Sequence, residues 1–122
     1  MAHFIYEYSA NLPAELLDLQ TLMAKMHTTA AETGIFPQSG MRSRAIRCDE
    51  FYLADGDPAK GFLNLSMKVG GGRDLATRKE CGELLFATLV EHLQPLLDSR
   101  PLAISFEMRE LHEHVKFNRK SY

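Results

Sequence analysis

Two stretches of this chain alternate apolar and polar residues in the way a strand does when one face meets a core and the other does not. In "FLNLSMKV", Leu63, Leu65, Met67 and Val69 alternate with Asn64, Ser66 and Lys68. Further on, Leu102, Ile104, Phe106 and Met108 alternate with Ala103, Ser105 and Glu107. Between them, residues from about Asp74 to Leu97 place Cys81, Leu84, Leu85, Leu89, His92, Leu93 and Leu96 along a broad helical stripe, and Pro101 closes the segment. A helix of that length is the kind of crossover that parallel strands require.

The first half repeats the order. Residues 3–8 are rich in aromatic and β-branched side chains and predict a strand. Asn11 is placed to cap a helix and Pro13 suits its first turn. Leu16, Leu19, Met23, Met26 and Ala30 then recur at helical spacing, with Gly34 as a stop and Pro37 just beyond. "MRSRAIRCDEFYL" (41–53) is extended but less regularly patterned, and 54–58 is a turn or loop. The expected fold class is α/β (α+β). Two βαβ repeats, about 3–53 and 62–109, form one four-stranded sheet with two helices on one face. They make a single domain of 1–122 with a polar C-terminal tail at 110–122. The other sheet face is left bare, and exposed apolar side chains there predict an oligomer.

Composition narrows the class. With 45% hydrophobic and 25% charged residues in 122, the chain affords a core and is not disordered. A net charge of −2 argues against a nucleic-acid partner. No apolar run approaches the ~18 residues of a membrane span, and the N-terminus has no signal-peptide pattern. Cys48 and Cys81, without C-x-x-C spacing, read as free thiols of a cytoplasmic protein.

Several residues could carry chemistry. "VGGGRDLATR" (69–78) sets a strand, three glycines and a helix start in succession, a geometry that suits an anion, with Arg73 as a planar cationic fork. The alternative is a flexible βα turn with a solvated Arg73. In "GMRSRAIR" (40–47), Arg42 and Arg44 project from one face of a strand, either toward anions or toward solvent. His112 and His114 flank Glu113 but have no fixed third ligand, so no metal site is expected. His92 lies on the helix stripe as a packing residue, while His3 and His27 show no partner. Cys81 lies on the same stripe and is expected to be buried and inert.

The chain begins its first strand almost at its first residue, and this unusual start draws the segments together. "HFIYEYS" (3–9), "TGIFPQSGMRSR" (33–44), "ADG" (54–56), "MKVGGGRDLATR" (67–78), "GELLF" (82–86) and "LAISFEMRELH" (102–112) resemble the 5-carboxymethyl-2-hydroxymuconate delta-isomerase family of the tautomerase superfamily. The resemblance implies a tautomerase-like fold, a homotrimer and no cofactor or metal. The implied activity is a proton shift on an unsaturated hydroxy di- or tricarboxylic acid from aromatic ring cleavage. It also implies an N-terminal proline base, exposed when the initiator Met is removed, and arginines that bind the substrate carboxylates. Arg42 and Arg73 stand at the matching places, with Arg44 beside them. The proline position is occupied by Ala2, preceded by Met1. A free Ala2 would offer a primary amine. A retained Met1 would displace the amine by roughly 3.3–3.6 Å along an extended chain. The alternative expectation is therefore a weakened or non-catalytic trimeric homologue that binds a carboxylate.

Overall fold

The computed structural model describes residues 1–122, and its sheet follows from the alternation. Strands β1 (Ala2–Ser9), β2 (Met41–Cys48), β3 (Gly61–Val69) and β4 (Leu102–Glu110) lie in the order β2-β1-β3-β4. β1 runs parallel to β2 and β3 parallel to β4, while β1 and β3 meet antiparallel at the centre. Ala2, Phe4 and Tyr6 share a face with Val69, Met67 and Leu65 of β3. That face is covered by Leu22, Met26 and Ala30 from α2 (Leu19–Glu32) and by Cys81, Leu85 and Leu89 from α3 (Leu75–His92), all buried in one core cluster. The two helices also pack against each other.

Both predicted helices are interrupted, each for a local reason. The first divides into α1 (Ala14–Leu17) and α2 at Asp18, which takes left-handed dihedrals (φ 39°, ψ 62°). Aspartate is among the few side chains that tolerate this region. The break shifts the helical phase, so Leu17 is buried and Leu16 is 38% exposed. Asn11 does not cap a helix, because Pro13 holds the N-cap position. The Asn11 amide instead donates to the carbonyls of Pro58 (3.1 Å) and Lys60 (2.7 Å), fastening the 54–60 loop. The second helix ends at His92, and α4 (Gln94–Ser99) follows with Pro95 in its first turn. A proline there has no N–H to continue the α3 ladder. Leu84 faces solvent rather than the core, and His92 Nε2 sits 2.8 Å from the Leu17 carbonyl, packing the end of α3 onto α1. β2 stops at Cys48 rather than near residue 53, because its neighbour β1 ends at Ser9.

The uncovered sheet face differs from expectation. It carries a polar net rather than an apolar surface. Ser105 Oγ donates to Asn64 Oδ1 (2.8 Å), Asn64 Nδ2 donates to Ser66 Oγ (3.3 Å), and Arg109 Nη2 donates to Glu107 Oε1 (3.1 Å). Ile46 is the large exposed apolar side chain of this face, and further exposed apolar groups lie on α3, where Leu75 and Phe86 border a cavity of about 560 Å³ shared with Ile104, Phe106 and Met108 of the edge strand β4.

Under β1 and β2, His27 of α2 packs its ring 5.2 Å from that of Phe4 and places Nε2 2.8 Å from Ser43 Oγ. Burial lowers the His27 pKa from its ordinary 6.5. The native state therefore binds this proton less readily than the unfolded chain. The associated stability is fully present above pH 6.5 and is lost as the pH falls toward and through the depressed value. Urea unfolding at pH 7.5, 6.0 and 5.0 should show a loss of stability on acidification that His27→Gln reduces. Equal losses in the two proteins would mean that His27 is not held neutral.

Candidate active site at the N-terminus

The topology converges on one point. The start of β1 lies beside the start of parallel β2 and the end of antiparallel β3, so Ala2 pairs with both Met41 and Val69. The arginine segment after Gly40 and the glycine segment after Val69 are thereby brought to either side of the N-terminus. Ala2 is 1% exposed. The Met1 carbonyl accepts from the Gly70 N–H at 3.2 Å. On the other side, a Cβ at Gly40 would stand 3.5 Å from the Met1 nitrogen and Cα, so the short 3₁₀ turn Gln38–Gly40 brings backbone close to the amine.

Electrostatics single out the Met1 amine. Its pKa is lowered from 8.0, first by burial and then by the positive charges of Arg73, Lys116, Lys120 and Arg42. Next to it, Arg44 Nη1 stands 3.3 Å from His3 Nδ1, and His3 Nε2 stands 3.1 Å from Met1 Sδ. Burial and then Arg44 lower the His3 pKa from 6.5. A neutral ring accepting from Arg44 at Nδ1 and donating from Nε2 toward the sulfur satisfies both contacts.

The three expected arginines lie in this region but touch different things. Arg42 and Arg44 share the open sheet face, opposite His3 and Ile5. Arg42 Nη2 donates to Asn118 Oδ1 at 2.9 Å. Arg73 is pinned, with Nη1 donating to the Gly70 carbonyl (2.9 Å), Nη2 donating to the Ile35 carbonyl (2.6 Å) and its guanidinium carbon 4.7 Å from the centre of the Phe36 ring. It is neither a solvated side chain nor a free fork. The N-terminus of α3 has its own anion, because Asp74 Oδ1 accepts from the Thr77 N–H at 2.7 Å. Alongside, Gly71, Gly72, Arg73, Glu110, Leu111, Glu113 and Lys116 line a cavity of about 540 Å³.

Other candidates fall away from the site. His112 Nδ1 accepts from the N–H groups of His114 (3.1 Å) and Val115 (2.9 Å), so it shapes a turn. Cys81 is buried and its thiol pKa is pushed up. Sequence reasoning missed Lys116, Asn118 and Lys120. Their signal is the basic stretch "KFNRK" (116–120), which has no periodicity to place it.

A duplicated βαβ sheet with a half-buried terminal amine amid four cations fits an isomerase of the tautomerase superfamily. The chain belongs to the 5-carboxymethyl-2-hydroxymuconate isomerase family, which it matches over residues 2–122. It is 42% identical over 121 residues to the 5-carboxymethyl-2-hydroxymuconate Delta-isomerase of Escherichia coli, covering 99% of this chain and 95% of that protein. A crystal structure of a 5-carboxymethyl-2-hydroxymuconate isomerase from Deinococcus radiodurans R1 superposes with a TM-score of 0.90 at 34% identity, covering 98% of this chain and 90% of that one. A fused 4-OT symmetric trimer shares the fold alone, with a TM-score of 0.64 at 14% identity over 89% of this chain and 86% of that one.

The contacts separate the two principal arginines by experiment. Arg73→Ala strands two backbone carbonyls and should lower unfolding stability by about 1–3 kcal/mol. Arg42→Ala loses one exposed hydrogen bond and should stay within about 0.5 kcal/mol of the parent. Urea denaturation of both variants decides this, and equal losses would contradict the pinned role of Arg73.

Proposed function

We propose that this protein is a cofactor-independent isomerase acting on an unsaturated hydroxy tricarboxylic acid of the 5-carboxymethyl-2-hydroxymuconate type, with the Ala2 amine as its base once Met1 is removed. The observation that carries the reading is Ala2 held between β2 and β3, next to a Met1 amine whose pKa is lowered by burial and four cations. Removal of Met1 also removes the acceptor of the Gly70 N–H. That donor would then face a substrate oxygen beside the amine.

The neutral amine takes the proton of the enol hydroxyl. The O–H electron pair becomes the carbonyl π bond, and the diene electrons shift along the chain. The ammonium returns the proton to carbon, so the enzyme ends unchanged. Arg42, with Arg44 behind it on the same face, binds a carboxylate. Arg73 supplies a fixed positive charge while holding the Gly70 and Ile35 carbonyls. The protein works as a homotrimer in the cytoplasm. Support for assembly is the apolar groove between α3 and the unpaired edge of β4, together with the fold shared with a fused 4-OT symmetric trimer. Support for a reducing compartment is the pair of free cysteines.

A second reading, a trimer that binds the acid without turning it over, is favoured by one observation. Met1 fits the strand register, and its carbonyl bonds Gly70. The N-terminus decides between the two. A positioned general base is typically worth ~10²–10⁴-fold. Protein retaining Met1 should lose that whole factor, and free Ala2 should retain part of it. Ala2→Pro, with Met1 shown absent by mass, should raise the rate of ketonisation of 5-carboxymethyl-2-hydroxymuconate followed by absorbance. A Pro variant no faster than its parent, with the assembly intact by light scattering, would favour the binding reading.

A further inference from the structure

The C-terminal segment has no regular secondary structure after β4, yet its course is set at both ends. The Leu111 N–H donates to the Val69 carbonyl at 2.7 Å, and the His112 turn sends the chain back across the mouth of the site. On the far side, Asn118 Oδ1 accepts from Arg42. Lys120 Nζ donates to the Ser39 carbonyl (3.1 Å) and lies 3.3 Å from Ser39 Oγ. Ser39 precedes the glycine against which the Met1 backbone packs. Lys116 Nζ is 3.4 Å from where a Cβ on Gly70 would stand, and Lys116 lines the cavity that also holds Arg73. The two lysines thus flank the amine, one on the Gly70 side and one on the Ser39 side.

Neither lysine has a carboxylate within ion-pair distance. Of the two acids that line the cavity, Glu110 pairs with Arg78 at 3.6 Å, and the exposed Glu113 lies 3.7 Å from His114 Nε2. Four cations converge where two arginines would suffice for a dicarboxylate. A lysine is a mobile point charge on a long stem, suited to a carboxylate at the end of a flexible arm rather than to one held bidentately on a planar diene.

We propose that Lys116, in the cavity it shares with Arg73, forms a third carboxylate subsite of this pocket and makes it select a tricarboxylate over a dicarboxylate, with Lys120 holding the C-terminal segment in place through Ser39 and adding its charge from the other side. The proposal rests on reading the pocket as the place where the carboxylated acid binds, and it names the residue that receives the branch carboxylate of a carboxymethyl-substituted substrate.

The test is calorimetric and needs no turnover. The full chain is titrated at low ionic strength with tricarballylate, which has three carboxylates, and with glutarate, which has two. The parent should favour tricarballylate by roughly tenfold, about the worth of one charged hydrogen bond. In Lys116→Gln/Lys120→Gln the affinity ratio should fall about five- to tenfold, toward equality. Lys116→Gln alone, which breaks no hydrogen bond of the protein, should move the ratio in the same direction. A parent that binds both acids equally, or a double variant that keeps the full preference, overturns the subsite. If both acids bind, and Arg42→Ala weakens both while the lysine variants leave the ratio unmoved, the subsite fails and the pocket stands. If neither acid binds the parent, the pocket and the subsite fall together.

Discussion

Everything at the functional end of this molecule depends on β1 pairing on both sides from its second residue. A chain end ordinarily frays, because ordering it costs about 1–2 kcal/mol of backbone entropy per residue. Here Ala2 lies between Met41 and Val69 and packs into the core, so backbone pairing and burial together offset that cost. One neighbour is parallel and the other antiparallel, so the start of β2 and the end of β3 must arrive at the same place. The arginine-bearing and glycine-bearing segments meet at the amine because of topology, although they lie far from it in sequence. Neither helix contributes a side chain to the cluster of cations around the Met1 amine. Their work is to cover the opposite face.

The arginines show how similar residues come to differ in role through what they touch. Arg73 lies where the chain leaves β3, and the bend at Gly70 exposes a carbonyl that its fork can reach while it also reaches Ile35. Its charge is thereby fixed in position but its donors are largely used. Arg42 extends from a strand face with only Asn118 as partner. It can exchange that amide for a carboxylate, gaining an ion pair in place of a bond to a neutral acceptor. Electrostatic persistence and exchangeable binding are separate properties, and the site distributes them over two side chains.

How much of this was legible in the sequence follows from which interactions are local. β3 and β4 were readable because one covered face imposes a two-residue period. The convergence of Arg42 and Arg73 on the terminal amine was not readable from periodicity, and came from the family resemblance. The break at Asp18 was hidden because Leu16 and Leu17 fit a helix equally well until the chain commits to a phase. The polar character of the open face was misjudged, although Asn64, Ser66, Ser105 and Glu107 were already the polar members of the alternation. The tail was opaque for a different reason. Its placement depends on single contacts to Ser39, Arg42 and Val69, none of which leaves a periodic trace.

The excess of positive charge around the amine has one more consequence for catalysis. Burial and four cations lower the proton affinity of the Met1 amine. The same cations would make it a poor proton acceptor if they stayed uncompensated. In the proposed reaction, bound carboxylates would cancel much of their field and raise the proton affinity of the amine at the moment a proton becomes available from the enol. Substrate charge thus completes the base. A neutral analogue of the same shape would leave that field uncompensated, and a tricarboxylate would cancel more of it than a dicarboxylate. In the proposed reaction the carboxylates would therefore be part of the acid–base machinery as well as handles for binding, and the cations that surround the Met1 nitrogen come from three separate segments of the chain.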